Sequence, residues 1–387
     1  MRLAIIDTEH FEVLYTLLRL STGDQMMAGA QVQVYTTESN AQQLRSLPGM
    51  DHPMIDWILK TKKESATGFA MRVVRLIRKN PADVLWLSTV ADNHLLYARL
   101  LDGKNAPRSI LSLHNVNGYF DYKVSFSIKR LLRFTGKKSL LKKAQVLHVL
   151  SNGVAQYLRS RLLKTALQDK VVHVLPGAFF EPGIFPSTEY KTGEKLRIVI
   201  PGSIDDRRRS YNQVFSLLDK INQQKLPAEI ILLGSFQEEH SGSTRDKVRK
   251  YQLLYNNLKS FEGPEVDQPL FDAQLAAAHF IWMPSMRDAV IQDDVLESYG
   301  VSISSGNNGD IIRFAKPFIA PVFLRFDDGF EPSCFRYEKT SAIAGMISNL
   351  TPASYQLKAA LAEKLSMTYR LDDLLPSFRS LLALADQ

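Results

Sequence analysis

Cysteine is almost missing from this chain of 387 residues, with Cys334 the only one. No intrachain disulfide can form, and no cysteine-based zinc or iron–sulfur site can be assembled, so a reducing, cytoplasmic setting is expected. Uncharged apolar runs of the ~18 residues that a membrane helix needs are also lacking, which excludes a helical membrane span. The first residues, Met1-Arg2-Leu3-Ala4-Ile5-Ile6-Asp7, read as a short strand ending in an acid, unlike the basic-then-apolar start of a secretory leader. The turn after that strand, Asp7-Thr8-Glu9-His10-Phe11, has no glycine. A Gly-x-Gly-x-x-Gly cradle for a dinucleotide pyrophosphate is therefore absent, and a nicotinamide-dependent oxidoreductase is disfavoured. Neither His-Glu-x-x-His nor Gly-x-Ser-x-Gly occurs, which argues against a zinc peptidase and an α/β-hydrolase. There is no internal repeat or low-complexity tract.

What is present is the composition of an ordinary packed protein, 45% hydrophobic and 23% charged. Hydrophobic cores stop growing near about 250–300 residues, so a chain of this length divides into two domains. Lys and Arg number 48 against 40 Asp and Glu, a formal charge of +8 that favours anionic partners without choosing among them. Short β-like runs at 3–6, 32–35, 84–87, 110–113, 146–150 and 171–175 alternate with helical stretches such as 12–20 and 67–78. That alternation predicts a parallel sheet with crossover helices. A second series at 196–200, 229–233, 280–283 and 318–320 follows the linker Phe180-Glu181-Pro182-Gly183-Ile184-Phe185-Pro186. After Pro352 the pattern is helical to the end, with Leu357, Leu361 and Leu365 spaced four apart. The expected architecture is α/β, with two Rossmann-like domains facing each other across a cleft. Residues 1–185 form the first and 186–355 the second, and helices over 356–387 pack back on the first.

The second series carries the sharpest constellation. The strand at 196–200 runs into Pro201-Gly202-Ser203-Ile204-Asp205-Asp206-Arg207-Arg208-Arg209, and a helix is expected from about Asn212. A glycine and a serine at the carboxyl end of a parallel strand admit an anion close to the backbone, and adjacent arginines neutralise a diphosphate. A solvated basic loop capping a helix is the competing reading. Further on stand Ile230-Ile231-Leu232-Leu233-Gly234, then Phe261-Glu262-Gly263-Pro264 and a helical stretch over 270–278. After the strand at 280–283 come Pro284-Ser285, Glu297-Ser298-Tyr299-Gly300, the loop Ser304-Ser305-Gly306-Asn307-Asn308-Gly309-Asp310, and a helix ending at Ala315-Lys316-Pro317.

This order resembles the nucleotide-sugar-binding domain of GT-B glycosyltransferases, in particular the large retaining family with Glu-x-Phe/Tyr-Gly, a second glutamate and Gly-Lys-Pro. The resemblance covers about 196–322 and is weak in the first half. It implies that Glu297 contacts the donor sugar or its phosphate and that Gly202, Ser203 and one of Arg208 or Arg209 hold the diphosphate. Phe261, Glu262 and Gly263 would border the base, and Tyr299 and Gly300 complete the motif beside Glu297. The family's second glutamate, which grips the ribose, stands eight residues after the first, and that place is Ser305 here. Lys316 arrives five residues later than the pattern expects. Either Asp310 takes over a hydroxyl contact, or Ser305, Gly306 and their neighbours offer backbone N–H groups to phosphate.

In the first half, a strand ends at His114-Asn115-Val116-Asn117, and the resembling family keeps a histidine at such a strand end near the donor sugar. A histidine merely satisfied in a loop is the alternative. Asp7, Glu9 and His10 are weaker acceptor-side candidates. No Asp-x-Asp, the metal–diphosphate motif of the other large glycosyltransferase fold, is found. The expectation is therefore a metal-independent enzyme with a nucleotide-sugar as substrate, no cofactor, and a glycan or lipid-linked acceptor. Residues 127–143 carry seven basic residues and no acid, with leucines interleaved. They are expected either to lie on an anionic membrane surface or to turn leucines to the core and lysines to water. Gly136 is expected to interrupt that segment. Other readings are an epimerase or phosphorylase of the same shape, a non-catalytic sugar-nucleotide-binding subunit, and a nucleic-acid binder. The last has no recognition module to support it.

Overall fold

The computed structural model describes residues 1–23, 29–103, 105–123, 126–185 and 187–384. Pro186, the last residue of the expected linker, lies outside them. The first half runs β1 (Arg2–Asp7), α1 (Phe11–Gly23), β2 (Gln31–Thr37), α2 (Glu38–Arg45), β3 (Ile55–Lys60), α3 (Ala66–Lys79), β4 (Val84–Thr89) and α4 (His94–Ala98). It continues through β5 (Arg108–Ser112), α5 (Asn117–Phe120), α6 (Ile128–Lys143), β6 (Val146–Val149), α7 (Asn152–Leu162) and β7 (Val171–Val174). The second half begins with β8 (Leu196–Pro201), α8 (Tyr211–Gln223), β9 (Ala228–Leu233), α9 (Gly242–Leu254), β10 (Leu258–Ser260), α10 (Gln268–Ala276) and β11 (Phe280–Trp282). Then come β12 (Asp288–Gln292), β13 (Val295–Ser298), α11 (Asn307–Phe314), β14 (Phe318–Pro321), β15 (Cys334–Tyr337), α12 (Thr340–Asn349), α13 (Pro352–Met367) and α14 (Leu371–Leu384).

Two parallel sheets result, ordered β3-β2-β1-β4-β5-β6-β7 and β10-β9-β8-β11-β14-β15. Each reverses its winding direction at its first strand, between β1 and β4 and between β8 and β11. At such a reversal the loops after the strands part and leave a crevice at the carboxyl ends. The two-residue period of a strand divides each apolar run between two cores. Ala4 and Ile6 enter one core while Leu3 and Ile5 enter the other, and in the second sheet Ile230 and Leu232 oppose Ile231 and Leu233. Both faces being covered, β4 and β9 are buried along their whole length, which is why they read as continuous apolar runs.

Helix α13 packs in the second domain through Tyr355, Ala359 and Leu365, while α14 returns to the first, where Phe378 stacks on Trp86 at 6.1 Å. The helix expected from the leucine spacing forms, with Leu357 63% exposed and the buried face set by Tyr355, Ala359, Ala362 and Leu365. Gly136 does not interrupt α6, which is one helix of sixteen residues. A Cβ there would stand 2.6 Å from His94 Cβ and 2.7 Å from Leu95 N, so glycine is what lets α6 touch α4. The leucines of α6 are also divided. Leu140 and Leu141 are buried, whereas Leu131 and Leu132 face out, and it is Arg133 and Lys137 that turn inward.

Candidate active site

On the second-domain side the cleft is floored by the loop after β8. Gly202 has φ +91°, a conformation that glycine adopts without penalty. A Cβ on Gly234, at the end of β9, would lie 2.2 Å from Gly202 O, so the two loops pass in backbone contact. Arg209 is committed to holding this loop. Its Nη1 donates to Gly202 O and Ser203 O, each at 2.8 Å, and its Nη2 donates to Pro201 O and to Asn307 Oδ1. Arg208 is the exposed member of the pair, with its Nε 3.5 Å from Asp205 Oδ2, and it lies within electrostatic reach of His10 and Tyr299. Ser203 is exposed beside it. Of the two arginines the sequence leaves open, the geometry leaves Arg208 available to a ligand.

The residues between Tyr299 and Gly306 form a loop that absorbs the extra length ahead of Lys316. Gly300 has φ +75°, and a Cβ on it would strike Arg325 O at 2.1 Å. Tyr299 is half-buried, its N–H bonded to Arg287 O. Ser305 gives its carbonyl to Asn308 N, and Gly306 caps α11. Asp310 therefore falls in the first turn of α11, where Asn307 Nδ2 donates to its Oδ2 at 3.1 Å and to Pro201 O at 3.0 Å. Burial raises the Asp310 carboxyl to about 6. Phe261, Glu262 and Gly263 follow edge strand β10. Glu262 is exposed and turns away to Arg249 on α9, while Phe261 is half-buried against the second-domain core. Lys316 is buried and donates to Ala276 O, closing the end of α10.

On the first-domain side, Asp7 is fully buried and accepts the N–H groups of Glu9 and His10 at 3.0 and 2.9 Å. Its Oδ2 accepts from Thr89 Oγ1 at 3.2 Å. Burial outweighs these bonds and raises the carboxyl to about 7. Two residues beyond β5, His114 places Nε2 3.0 Å from both Ser88 O and Thr89 Oγ1. A carbonyl only accepts, so the proton sits on Nε2 and the lone pair on Nδ1. The His10 and His114 rings lie 4.5 Å apart, and burial lowers the first to about 3 and the second to about 4, so both are neutral near pH 7. Glu9 stays exposed. Asp7, His10 and His114 thus form one cluster, with Arg208 reaching towards it from across the cleft.

Glu297 is elsewhere. It stands on β13 of an antiparallel hairpin, 1% exposed, with Oε1 accepting Gly118 N at 3.0 Å and Oε2 accepting Asn117 N at 3.3 Å. Both oxygens are taken by the opposite domain, so the carboxylate is not open to the cleft as the motif implies. Burial raises it to about 7.

No family model matches the sequence, and no curated protein matches it either. Solved structures do. The N-terminal domain of Candida albicans trehalose-6-phosphate phosphatase is 11% identical, with TM-score 0.64 over 100% of this chain and 97% of that one. The catalytic domain of starch synthase IV from Arabidopsis thaliana, bound to ADP and acarbose, is 10% identical with TM-score 0.63 over 100% and 99%. Anabaena HepE, in complex with UDP and glucose, is 12% identical with TM-score 0.62 over 99% of each chain. The fold is that of the GT-B glycosyltransferases.

Within this GT-B fold the hairpin β12–β13 is a feature the sequence reading missed. Its tip residues Asp293 and Asp294 have φ +56° and +61°, the left-handed pair of a tight hairpin turn, without the Asn-Gly signal that would mark it. The tip crosses to α6. Arg133 bonds Asp293 at 2.6 Å and Asp92 at 2.9 Å, Arg130 bonds Asp294 at 2.6 Å, and buried Lys137 donates to Gln292 at 2.7 Å. Lys137, lowered to about 8 by burial, also lies within electrostatic reach of Glu9 and Glu297. A second carboxylate bridges the domains at α7, where Asp327 accepts Asn152 N and Gly153 N at 3.0 and 3.2 Å. Glu297 and Asp327 each satisfy free N–H groups at the start of a first-domain helix. The GT-B cleft also holds a cavity of about 250 Å³ beside the linker, lined by Tyr15, Phe179, Phe185, Gln268, Asp272 and Arg313 among others.

Proposed function

We propose that this chain is a glycosyltransferase that moves a sugar from a nucleotide-sugar to a glycan or lipid-linked acceptor, without a metal ion or cofactor and with retention of anomeric configuration. The reading rests on one observation: Arg208, on the loop that Asn307 of α11 holds at Pro201 O, lies within electrostatic reach of His10, whose ring stands 4.5 Å from that of His114 in the other domain. Arg208 and the backbone N–H groups of the loop would hold the diphosphate, and the α11 dipole would favour its charge as it leaves. Asp310 would take a ribose hydroxyl in place of the glutamate that Ser305 lacks, with the base directed towards the cavity beside Tyr15 and Phe185. His114 would accept a sugar hydroxyl at Nδ1, and the carboxylate bridges would hold the domains together while water is excluded. A cytoplasmic location belongs to the same proposal. Among the described residues no helix is long and apolar enough to cross a membrane.

The sequestered Glu297 favours a second reading, a binding subunit of the same fold that no longer transfers sugar. Thermal shift against UDP-, GDP-, ADP- and CMP-sugars tests the first step. A donor at 100 times its Kd stabilises the fold by about 2.7 kcal/mol. A shift with one nucleotide class that Arg208→Ala lowers supports the donor site, and nucleotide release in the presence of acceptor supports transfer. A shift without release under any acceptor would favour the binding subunit, and no shift at millimolar ligand would sink both.

A further inference from the structure

Helix α6 is amphipathic the wrong way round at its start. Ile128, Leu131 and Leu132, at i, i+3 and i+4, are 73%, 49% and 52% exposed, and Phe126 just before them is fully exposed. Arg130 and Arg133, which would ordinarily line the wet face, are drawn inward by Asp293, Asp294 and Asp92. Isolated exposed apolar residues are common on protein surfaces, but four together form a patch of the kind that marks an interaction site. Lys129 flanks the patch, and Lys138 and Lys142 are exposed further along the same face. No acid occurs between residues 127 and 143, and the hairpin acids nearest the patch are already paired with Arg130 and Arg133.

We propose that this face of α6 docks on an anionic lipid bilayer. Phe126, Ile128, Leu131 and Leu132 enter the boundary between headgroups and acyl chains, and Lys129, Lys138 and Lys142 lie among the phosphates. A bilayer is the occupant that the charge selects, because an apolar patch rimmed by cations, with its nearest carboxylates already paired, complements a negatively charged, fatty surface. The inner face of the same helix carries Arg133 and Lys137 at the cleft, so docking would set the cleft beside the membrane. That last step rests on the glycosyltransferase reading, since it makes the acceptor a lipid-linked one; the docking itself does not.

Co-sedimentation of the full chain with vesicles tests it, using phosphatidylcholine alone and a three-to-one mixture with phosphatidylglycerol. Binding is expected to the mixture and not to phosphatidylcholine alone. Leu131→Ser with Leu132→Ser should lower the partition coefficient about tenfold or more. Lys129→Gln, Lys138→Gln and Lys142→Gln together should lower it by on the order of a hundredfold, about fivefold per lysine. These residues are exposed, so thermal midpoints and any nucleotide-induced shift should not change in the variants, which separates failure of docking from failure of the donor reading. The proposal is overturned if the wild-type chain ignores anionic vesicles or if the double serine variant binds them undiminished. It is equally overturned if light scattering finds a dimer that the serine variant dissociates, since the patch would then be covered by a second copy.

Discussion

If the hairpin tip holds the two domains together, removing Asp293 should loosen the contact that Glu297 makes some distance along the same hairpin. Arg133 and Asp293 meet at 2.6 Å with side chains 13% and 18% exposed, so the pair is shielded without being fully dry. Two unit charges 4 Å apart attract by about 4 kcal/mol at an effective dielectric constant near 20. Desolvation and side-chain ordering offset most of that, leaving about 1–2 kcal/mol for a pair of this exposure. The amides of Asn117 and Gly118 report the result directly, because they donate to Glu297 only while the hairpin is docked. Their hydrogen-exchange rates should rise about 5- to 30-fold in Asp293→Ala, since each 1.4 kcal/mol is a factor of ten. Arg133→Ala should do the same, and the double variant should exceed the larger single effect only slightly, because both remove one interaction. Unchanged exchange at these two amides in Asp293→Ala, or fully additive effects in the double variant, would refute the reasoning.

Gly234→Ala forces a Cβ to 2.2 Å from a backbone oxygen that cannot swing away, and should cost about 2–4 kcal/mol and abolish nucleotide-induced stabilisation. Gly242→Ala, where nothing lies within 4 Å, should be close to neutral in a parallel melt. The two arginines should separate. Arg209→Ala takes the guanidinium from Gly202 O and Ser203 O, leaving Pro201 O to Asn307, and should lower stability by about 2–3 kcal/mol, whereas Arg208→Ala should leave the melt unchanged and weaken donor binding by about tenfold or more in calorimetry. Finally, the Glu297 carboxyl, raised to about 7, keeps a proton in the fold that the unfolded chain has lost above the ordinary glutamate value of 4.5. Its contribution therefore falls as pH rises through that window and is level above it. Relative to Glu297→Gln, the wild-type chain should lose up to about 3 kcal/mol across that range, as read from urea unfolding at several pH values. A constant difference between the two proteins would contradict the burial of this carboxylate.

Much of the scaffold was legible from period and composition. The runs at 84–87 and 229–233 could be read as strands because β4 and β9 are buried on both faces, which demands an unbroken apolar sequence. Edge strands carry no such demand. Residues Ile55–Lys60 and Leu258–Ser260 escaped notice because they are half-exposed or three residues long. The hairpin Asp288–Ser298 escaped because its apolar runs, Ala289-Val290-Ile291 and Val295-Leu296, are only three and two residues long and its turn is Asp-Asp. At the cleft, Gly202, Ser203, Arg208 and His114 could be proposed from their places at strand ends. Lys137, Asn307 and Asp293 could not, because their neighbours are far away in sequence.

The sequence alone therefore determined two α/β halves, the parallel sheets and the strand ends where ligands could gather, since those follow from local apolar period and from glycine at the turns. Only the tertiary structure decided which arginine braces a loop and which faces the cleft. It also decided that Glu297 caps a helix of the opposite domain and that the leucines opening α6 look outward. The last two depend on what stands across the cleft. A carboxylate or guanidinium turns towards the partner that satisfies it, and that partner here comes from a segment more than a hundred residues away.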